Sequence, residues 1–329
     1  MSKPTVAVVI PVLNEEAHLK DVYTAIRNQT YDNITHIVLA LGPSTDNTAA
    51  IAQELARFDS RITLVDNPTG RTPTAMNLGI RNSTSDVVVR CDAHAILPPD
   101  YVERCVTLLE EKNAVNVGGQ MFAQGDNNFT KAVALAMTSP WAVGQAAFHV
   151  GGAAGESESV YLGAFKRSAL EAVGGYDESM IRAQDWELNY RLRKNGGRIW
   201  FDPNLKVIYH PRNSVTALAS QYFQYGQWRR RVMRMYPDTV QQGFRYLAPP
   251  ALVVSLVMSL ILSQLGGFLE SPPLMLTGFF PMLYVLSLLC IALVQVAKRA
   301  IKFGSILSLV IVVMTMHISW GLGFLLSQK

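Results

Sequence analysis

Asp86-Val-Val-Val-Arg-Cys-Asp-Ala-His94 reads as a buried strand that opens into an acidic tip able to hold a metal. Its valines are β-branched, and a short apolar run between Ser83-Thr84-Ser85 and Pro98-Pro99 suits the middle of a parallel sheet. The strand is expected to end at Asp92. There Asp92 and His94, two positions apart, could turn an oxygen and an imidazole nitrogen toward one divalent cation. An Asp-x-His tripeptide is common and more often marks a solvated strand end, so the neighbouring segments must carry the reading.

Upstream, Thr5-Val-Ala-Val-Val-Ile10 is an apolar strand stopped by Pro11, and Asn14-Glu15-Glu16 starts a helix predicted to run to Asn28. A second strand, 36–41, ends in Gly42-Pro43-Ser44-Thr45-Asp46, whose polar side chains can cap a helix over 48–58. Residues 61–65 make a third strand. Strand, helix, strand, helix, strand is the pattern of a parallel sheet with helices on its faces, an α/β class. Ligands bind such sheets outside the carboxyl ends of the strands, and Glu15, Asp46, Asn67 and Asp92 all follow such ends. Asn67-Pro-Thr-Gly-Arg71 is a polar turn in which Gly70 permits close backbone approach and Arg71 could meet a phosphate; alone, Arg71 reads as a solvated loop cation.

Downstream, residues 131–150 are rich in Ala, Met and aromatics, with Lys131 as the sole charge. They suit either a core helix pair or an amphipathic segment touching a membrane. Glycines 151, 152 and 155 point to a mobile loop, and 161–165 to a strand. Gly174-Gly-Tyr-Asp-Glu178 makes a turn before a helix over 183–193, on which Trp186, Tyr190 and Arg193 share a face. Asp185 falls in the first turn of that helix. An Asp there commonly complements the helix dipole, but it is also a carboxylate fixed beside a cleft, as a general base must be.

Composition changes near Leu247. Beyond it the chain carries only Lys298, Arg299, Lys302 and Lys329 as cations and Glu270 as an anion. The front part is then nearly neutral, which argues against a nucleic-acid footprint. Three apolar stretches, 247–269, 272–297 and 303–326, are each long enough to span a bilayer core of about 30 Å. The stretch 221–246 before them mixes aromatics with Arg229, Arg230, Arg231 and Arg234, as an interfacial amphipathic helix does, leaving 1–220 as a front domain. With cations between the second and third stretches, the positive-inside rule predicts a multi-pass inner-membrane protein with a cytosolic front domain and an external C-terminus. Cys91, Cys105 and Cys290 are too scattered for a disulfide framework or a zinc site, and the N-terminus has no signal-peptide pattern.

In this order, Pro11-Val-Leu-Asn-Glu15, Ser44-Thr-Asp-Asn-Thr48, Asn77-Leu-Gly79, Asp92-Ala-His94 and Gln184-Asp185 make the chain resemble the family 2 glycosyltransferases over residues 4–236. Gly163-Ala-Phe165, Gly174-Gly-Tyr-Asp-Glu178, the segment 184–192 and Gln221-Tyr-Phe-Gln-Tyr-Gly-Gln-Trp228 narrow this to the membrane-bound branch that builds exopolysaccharides, including succinoglycan-type enzymes. The resemblance implies a GT-A fold, a nucleotide-sugar donor (a UDP-sugar), a divalent metal and inversion at the anomeric carbon. It places Pro11, Asn14, Glu15 and Asp46 by the nucleoside, Arg71 by the diphosphate, Asp92 and His94 on the metal, and Asp185 as base.

Three departures from the family pattern stand out. Leu41-Gly42-Pro43-Ser44 replaces the usual Asp-Asp-Gly-Ser. His94 replaces a second Asp, and imidazole suits manganese better than magnesium. Gln224-Tyr-Gly-Gln-Trp228 lacks the arginine of the processive Gln-x-x-Arg-Trp motif, so polymerisation is not implied. Membrane attachment points to an acceptor on lipid. A saccharide hydroxyl needs a base such as Asp185, whereas a polyprenyl phosphate, the rival acceptor, is already anionic. A further rival is a membrane-anchored nucleotide-sugar-binding protein without catalysis, motivated by the missing Asp pair.

Overall fold

The computed structural model describes residues 3–239, 244–298 and 300–327; the side chains of Phe244 and Arg245 are outside this set, as are Arg299 and Lys329. The chain divides into two compact units, Met1–Phe122 with Gln145–Tyr209, and Ala123–Gly144 with His210–Lys329. The first unit therefore ends at Tyr209 rather than at 220. The segment 131–150, read as either a core helix pair or an amphipathic segment, is divided between the two units at Gly144.

The first unit is built on one sheet of strands β1 (Val6–Val12), β2 (Ile34–Leu41), β3 (Ile62–Asp66), β4 (Val87–Arg90), β5 (Asn116–Ala123), β6 (Gly155–Glu156), β7 (Tyr161–Lys166) and β8 (Ile199–Tyr209). Among the described residues the order is β3-β2-β1-β4-β7-β5-β8-β6. β3, β2, β1 and β4 are parallel, and β7 then pairs antiparallel with both β4 and β5. Val6, Val8, Ile10, Val87 and Val89 are fully or almost fully buried on one face of the sheet, and Val9, Val38 and Val88 on the other. A central strand covered on both faces must be continuously apolar, which is why these runs do not alternate.

Packing on those faces is close. Helix Thr72–Arg81 lies so near β1 that a Cβ on Gly79 would come within 2.2 Å of Val9 Cγ1. Pro11 sits inside β1 opposite Ala40, but the β1–β4 ladder ends at Val9 and Arg90, so its missing N–H costs no sheet bond.

Two boundaries differ from the sequence reading for physical reasons. β4 stops at Arg90, and Cys91-Asp92 already belongs to a turn closed by the Ala95 N–H bonding to the Asp92 carbonyl at 2.9 Å. The first helix begins at Leu19, not Asn14. Asn14 has φ +55°, which a right-handed helix cannot use, and the N–H groups of Asn14, Glu15 and Glu16 are bonded to side chains of the loop after β2.

The second unit is helical. Ala248–Phe268, Pro272–Ala297 and Phe303–Leu325 are long and apolar enough to cross a membrane. Within this unit helices Asn128–Met137 and Val215–Met235 both pack on helix Ile306–Leu325. Two glycines bring the latter pair into backbone contact, since a Cβ on Gly226 would lie 2.0 Å from the Trp320 carbonyl, and one on Gly323 2.0 Å from that of Phe223.

Candidate active site

At the carboxyl end of β4 a single buried cation holds two carboxylates. The Arg90 side chain is 8% exposed; its Nε and Nη2 each lie 2.9 Å from Asp92 Oδ1, and its Nη1 donates to Asp185 Oδ1. Burial opposes the charge on Arg90, but Asp185 and Asp92 outweigh it and hold the guanidinium well above its ordinary pKa. Arg90 and Asp92, two apart across the strand end, face the same way. Asp185 arrives from the first turn of helix Gln184–Lys194, and its side chain stays 37% exposed. The Tyr176 hydroxyl is buried beside this group, where burial and the charge of Asp185 push its pKa up.

The helix that delivers Asp185 is anchored deep in the first unit. Glu187, 1% exposed, is gripped by Arg191 at 2.6 and 2.7 Å. Asn189 accepts from Asn116 at 2.6 Å and donates to Ser159 at 3.0 Å. Trp186 stacks on Tyr190 at 5.6 Å, with Arg193 over the same ring, so the shared face expected for these residues is present. Ala183 precedes the helix at φ +59°, a left-handed conformation that a non-glycine residue adopts only when its surroundings impose it. Asn77 clamps the preceding turn: its amide donates to the Tyr176 carbonyl and to Glu178, and its oxygen accepts from the Tyr176 N–H, at 2.8–2.9 Å. That is the structural reason for the Asn77-Leu-Gly79 and Gly174-Gly-Tyr-Asp-Glu178 motifs.

The loops after β1 and β2 are laced together. Asn14 N–H donates to Ser44 Oγ and Asn14 Oδ1 accepts from Thr45 N–H, while Glu15 N–H reaches Thr48 Oγ1 and Glu16 pairs with the Asp46–Asn47 segment. The Thr48 hydroxyl and backbone N–H groups hold Asp46 below the usual carboxylate pKa. Gly42 lies against this junction, where an added Cβ would meet Leu13 Cδ1 at 3.0 Å and Gly70 Cα at 3.2 Å. An aspartate here would press on the Leu13 side chain and the Gly70 backbone, which would have to give by a few tenths of an ångström.

Glu15 also reaches the β4 tip, where its Oε1 is 2.8 Å from His94 Nδ1. Asp92 and His94 thus each have a partner of their own, and among the described residues no three His, Cys, Asp or Glu side chains gather as a metal cluster. Arg71 caps helix Thr72–Arg81 with its side chain exposed and makes no ion pair among the described residues.

A parallel sheet with loops from β1, β2, β3 and β4 converging at one edge invites comparison with known proteins. The sequence profile of "Glycosyl transferase family 2" matches residues 7–174. This chain belongs to that family. Family 2 relatives include the succinoglycan biosynthesis protein ExoA of Rhizobium meliloti (strain 1021), 35% identical over 246 residues, 74% of each chain. Another is the dolichyl N-acetyl-alpha-D-glucosaminyl phosphate 3-beta-D-2,3-diacetamido-2,3-dideoxy-beta-D-glucuronosyltransferase of Methanococcus voltae, 25% identical over 238 residues, covering 70% of this chain and 74% of the relative. Among solved structures, a mannosyltransferase from Pyrobaculum calidifontis in complex with GDP-Man and Mn2+ superposes with a TM-score of 0.65 at 19% identity, over 100% of this chain and 89% of that one. That likeness establishes the GT-A-type fold. The chain is a glycosyltransferase.

Of the residues singled out by sequence, the structure brings Asp92 and Asp185 together, joins Asn14 to the loop that holds Asp46, and pairs Glu15 with His94. Arg71 stands apart on the third loop. Sequence reasoning missed Arg90, which it passed over inside a strand expected to run on to Asp92. An arginine closing a run of buried valines, two residues before an aspartate, was the available signal.

Proposed function

We propose that this family 2 enzyme moves a sugar with inversion from a nucleotide-sugar, a UDP-sugar in this reading, to a hydroxyl of a lipid-linked saccharide in cell-surface glycan synthesis. The observation that carries the proposal is the Arg90 bridge, which holds the expected base, Asp185, and the expected metal carboxylate, Asp92, in one rigid unit. With Oδ1 of Asp185 tied to Arg90, its second oxygen is the one to accept a proton from the acceptor hydroxyl as that oxygen attacks the anomeric carbon. Asn14, Glu15 and Asp46, with Pro11 setting the path of β1, would frame the nucleoside, and Arg71 would swing onto the departing diphosphate.

The donor set suits a divalent cation, Mn2+ or Mg2+. One carboxylate and one imidazole make an incomplete shell of the kind that a substrate diphosphate and water complete. Glu15 accepting from Nδ1 of His94 is the carboxylate–histidine arrangement that presents Nε2 to a metal. A cation held by Asp92 and His94 would neutralise the charge growing on the leaving diphosphate.

A lipid-borne acceptor is supported by the apolar helices and by the Methanococcus relative, whose name carries a dolichyl-linked sugar phosphate. The relation to the succinoglycan biosynthesis protein ExoA supports a place in exopolysaccharide synthesis, and the apolar helices support a membrane location, for which the positive-inside rule argues a cytosolic first unit. The test is nucleoside diphosphate release by the purified chain in native membrane lipid, over a panel of sugar nucleotides with and without Mn2+. Metal-dependent release from one donor that requires the lipid is expected. Donor binding without release, with acceptor lipids verified in the extract, would overturn the catalytic reading, and release supported by polyprenyl phosphate alone would overturn the saccharide acceptor.

A further inference from the structure

From the packing inside the helical unit we infer that helix Ile306–Leu325 does not cross the membrane but lies along its cytosolic face beside helix Val215–Met235, so that the chain crosses twice and its C-terminus stays on the cytosolic side. The inference is independent of the sugar or acceptor and departs from the external C-terminus that three crossings imply.

The two helices are in close contact over residues 223–230 and 320–327. Phe223 and Gly226 meet Gly323 and Trp320, and further along Arg230 Nη1 donates to the Phe324 carbonyl at 2.9 Å and the Leu325 carbonyl at 2.6 Å, while Ser327 donates to the Gln227 carbonyl at 3.2 Å. Backbones touch at both glycines, and the last turns of helix Ile306–Leu325 lie against residues 223–230. The end of the apolar helix and this part of the charged helix must therefore share one depth.

The level of their shared end is fixed from two sides. Arg229, Arg230, Arg231 and Arg234 cluster there, with the Arg229 guanidinium 3.9 Å from the Tyr246 ring and Arg231 4.8 Å from Trp228, the chemistry of a headgroup interface. The first apolar helix starts at the same place, because a Cβ on Gly321 would lie 2.5 Å from the Pro249 carbonyl and 2.7 Å from Val253. Arginines immediately before a membrane helix mark its cytosolic end. The end of helix Ile306–Leu325 is consequently cytosolic.

Its beginning is cytosolic too. If Ala248–Phe268 leads out and Pro272–Ala297 leads back, Lys298 and Lys302 fall inside, as the positive-inside rule requires. A helix that starts and ends on one side has not crossed. Its packing agrees: helix Asn128–Met137 rests on it, and that helix belongs to a segment whose two ends both join the first unit. It is also the most enclosed of the three apolar helices, 39% of its most apolar window being buried against 17% and 11% for the others. The partner of its remaining apolar surface, including Leu307 and Ile311, is the acyl region just beneath the cytosolic headgroups.

The test fuses either green fluorescent protein or alkaline phosphatase after Lys329 of the full chain in a bacterial host, with a parallel pair after Ser271 to report the first outer turn. A fluorescent, phosphatase-negative C-terminus together with a phosphatase-positive Ser271 fusion is expected. An enzymatically active phosphatase and a dark fluorescent protein at the C-terminus would establish the third crossing and overturn the inference.

Discussion

Replacing Arg90 with methionine keeps the length of the side chain and removes the cation shared by Asp92 and Asp185. Three hydrogen bonds to charged partners are lost. Each contributes about 1.5–3 kcal/mol, while methionine escapes the several kcal/mol needed to strip water from a buried guanidinium. Setting these against each other leaves a net destabilisation of about 2–4 kcal/mol, or roughly 5–15 °C in Tm for a unit of this size. Catalysis suffers separately, because Asp185 loses the anchor that aims its carboxylate, and a misplacement of about 1 Å costs on the order of 100-fold. Nucleoside diphosphate release should therefore fall about 100-fold in kcat. Arg90→Lys, which keeps the charge but not the fork, should lose about tenfold. The control is Arg104→Met, which breaks the pair with buried Asp202 at 2.7–2.8 Å and should lower Tm with kcat unchanged. Wild-type kcat in Arg90→Met would refute the idea that the Arg90–Asp185 contact belongs to the working site.

Other outcomes follow from the same geometry. Asp185→Asn should abolish transfer yet leave donor affinity, measured by calorimetry, within about twofold of wild type, since the change is isosteric and spares Asp92; normal turnover would remove Asp185 as base. Glu15→Gln should raise the Mn2+ concentration for half-maximal activity about tenfold through weaker support of His94, and His94→Ala should raise it further; an unchanged metal titration in both would take His94 out of the metal shell. Gly79→Ala should cost about 1–3 kcal/mol, seen in a denaturant melt, because Val9 stands where the methyl must go. Asn77→Ala should destabilise by a similar amount and lower kcat as the 174–178 turn relaxes; an unaltered melt would mean that the turn is held by other contacts.

The parallel half of the sheet was readable because its central strands β1 and β4 are almost wholly buried and therefore carry runs of valine and isoleucine, and its loops announce themselves with Gly, Pro and Asp. The apolar helices were readable to within a residue or two, since length and composition alone define them. What sequence did not disclose was partnership. Asn14 looked like a helix start, but its N–H is bonded to Ser44, 30 residues along the chain and beyond what local propensity can weigh. Residues 131–150, which suited a core helix pair or an amphipathic segment, are divided between two units at Gly144, a break that composition does not mark. Arg90 hid in a valine run because a buried arginine is defined by the carboxylates it meets, and Asp185 lies far from it along the chain.

The lacing of the loops after β1 and β2 bears on how quickly the enzyme can be loaded. Those loops hold one another through Asn14, Ser44, Thr45, Asp46 and Thr48. If the proposed nucleoside site lies there, a nucleotide meets loops braced by each other's side chains, so little ordering entropy should oppose its capture. Capture should then show a single exponential whose rate is proportional to donor concentration, with no plateau from a conformational gate. Selectivity among bases would rest on rejection by a stiff contour rather than on a loop that reshapes itself around each candidate.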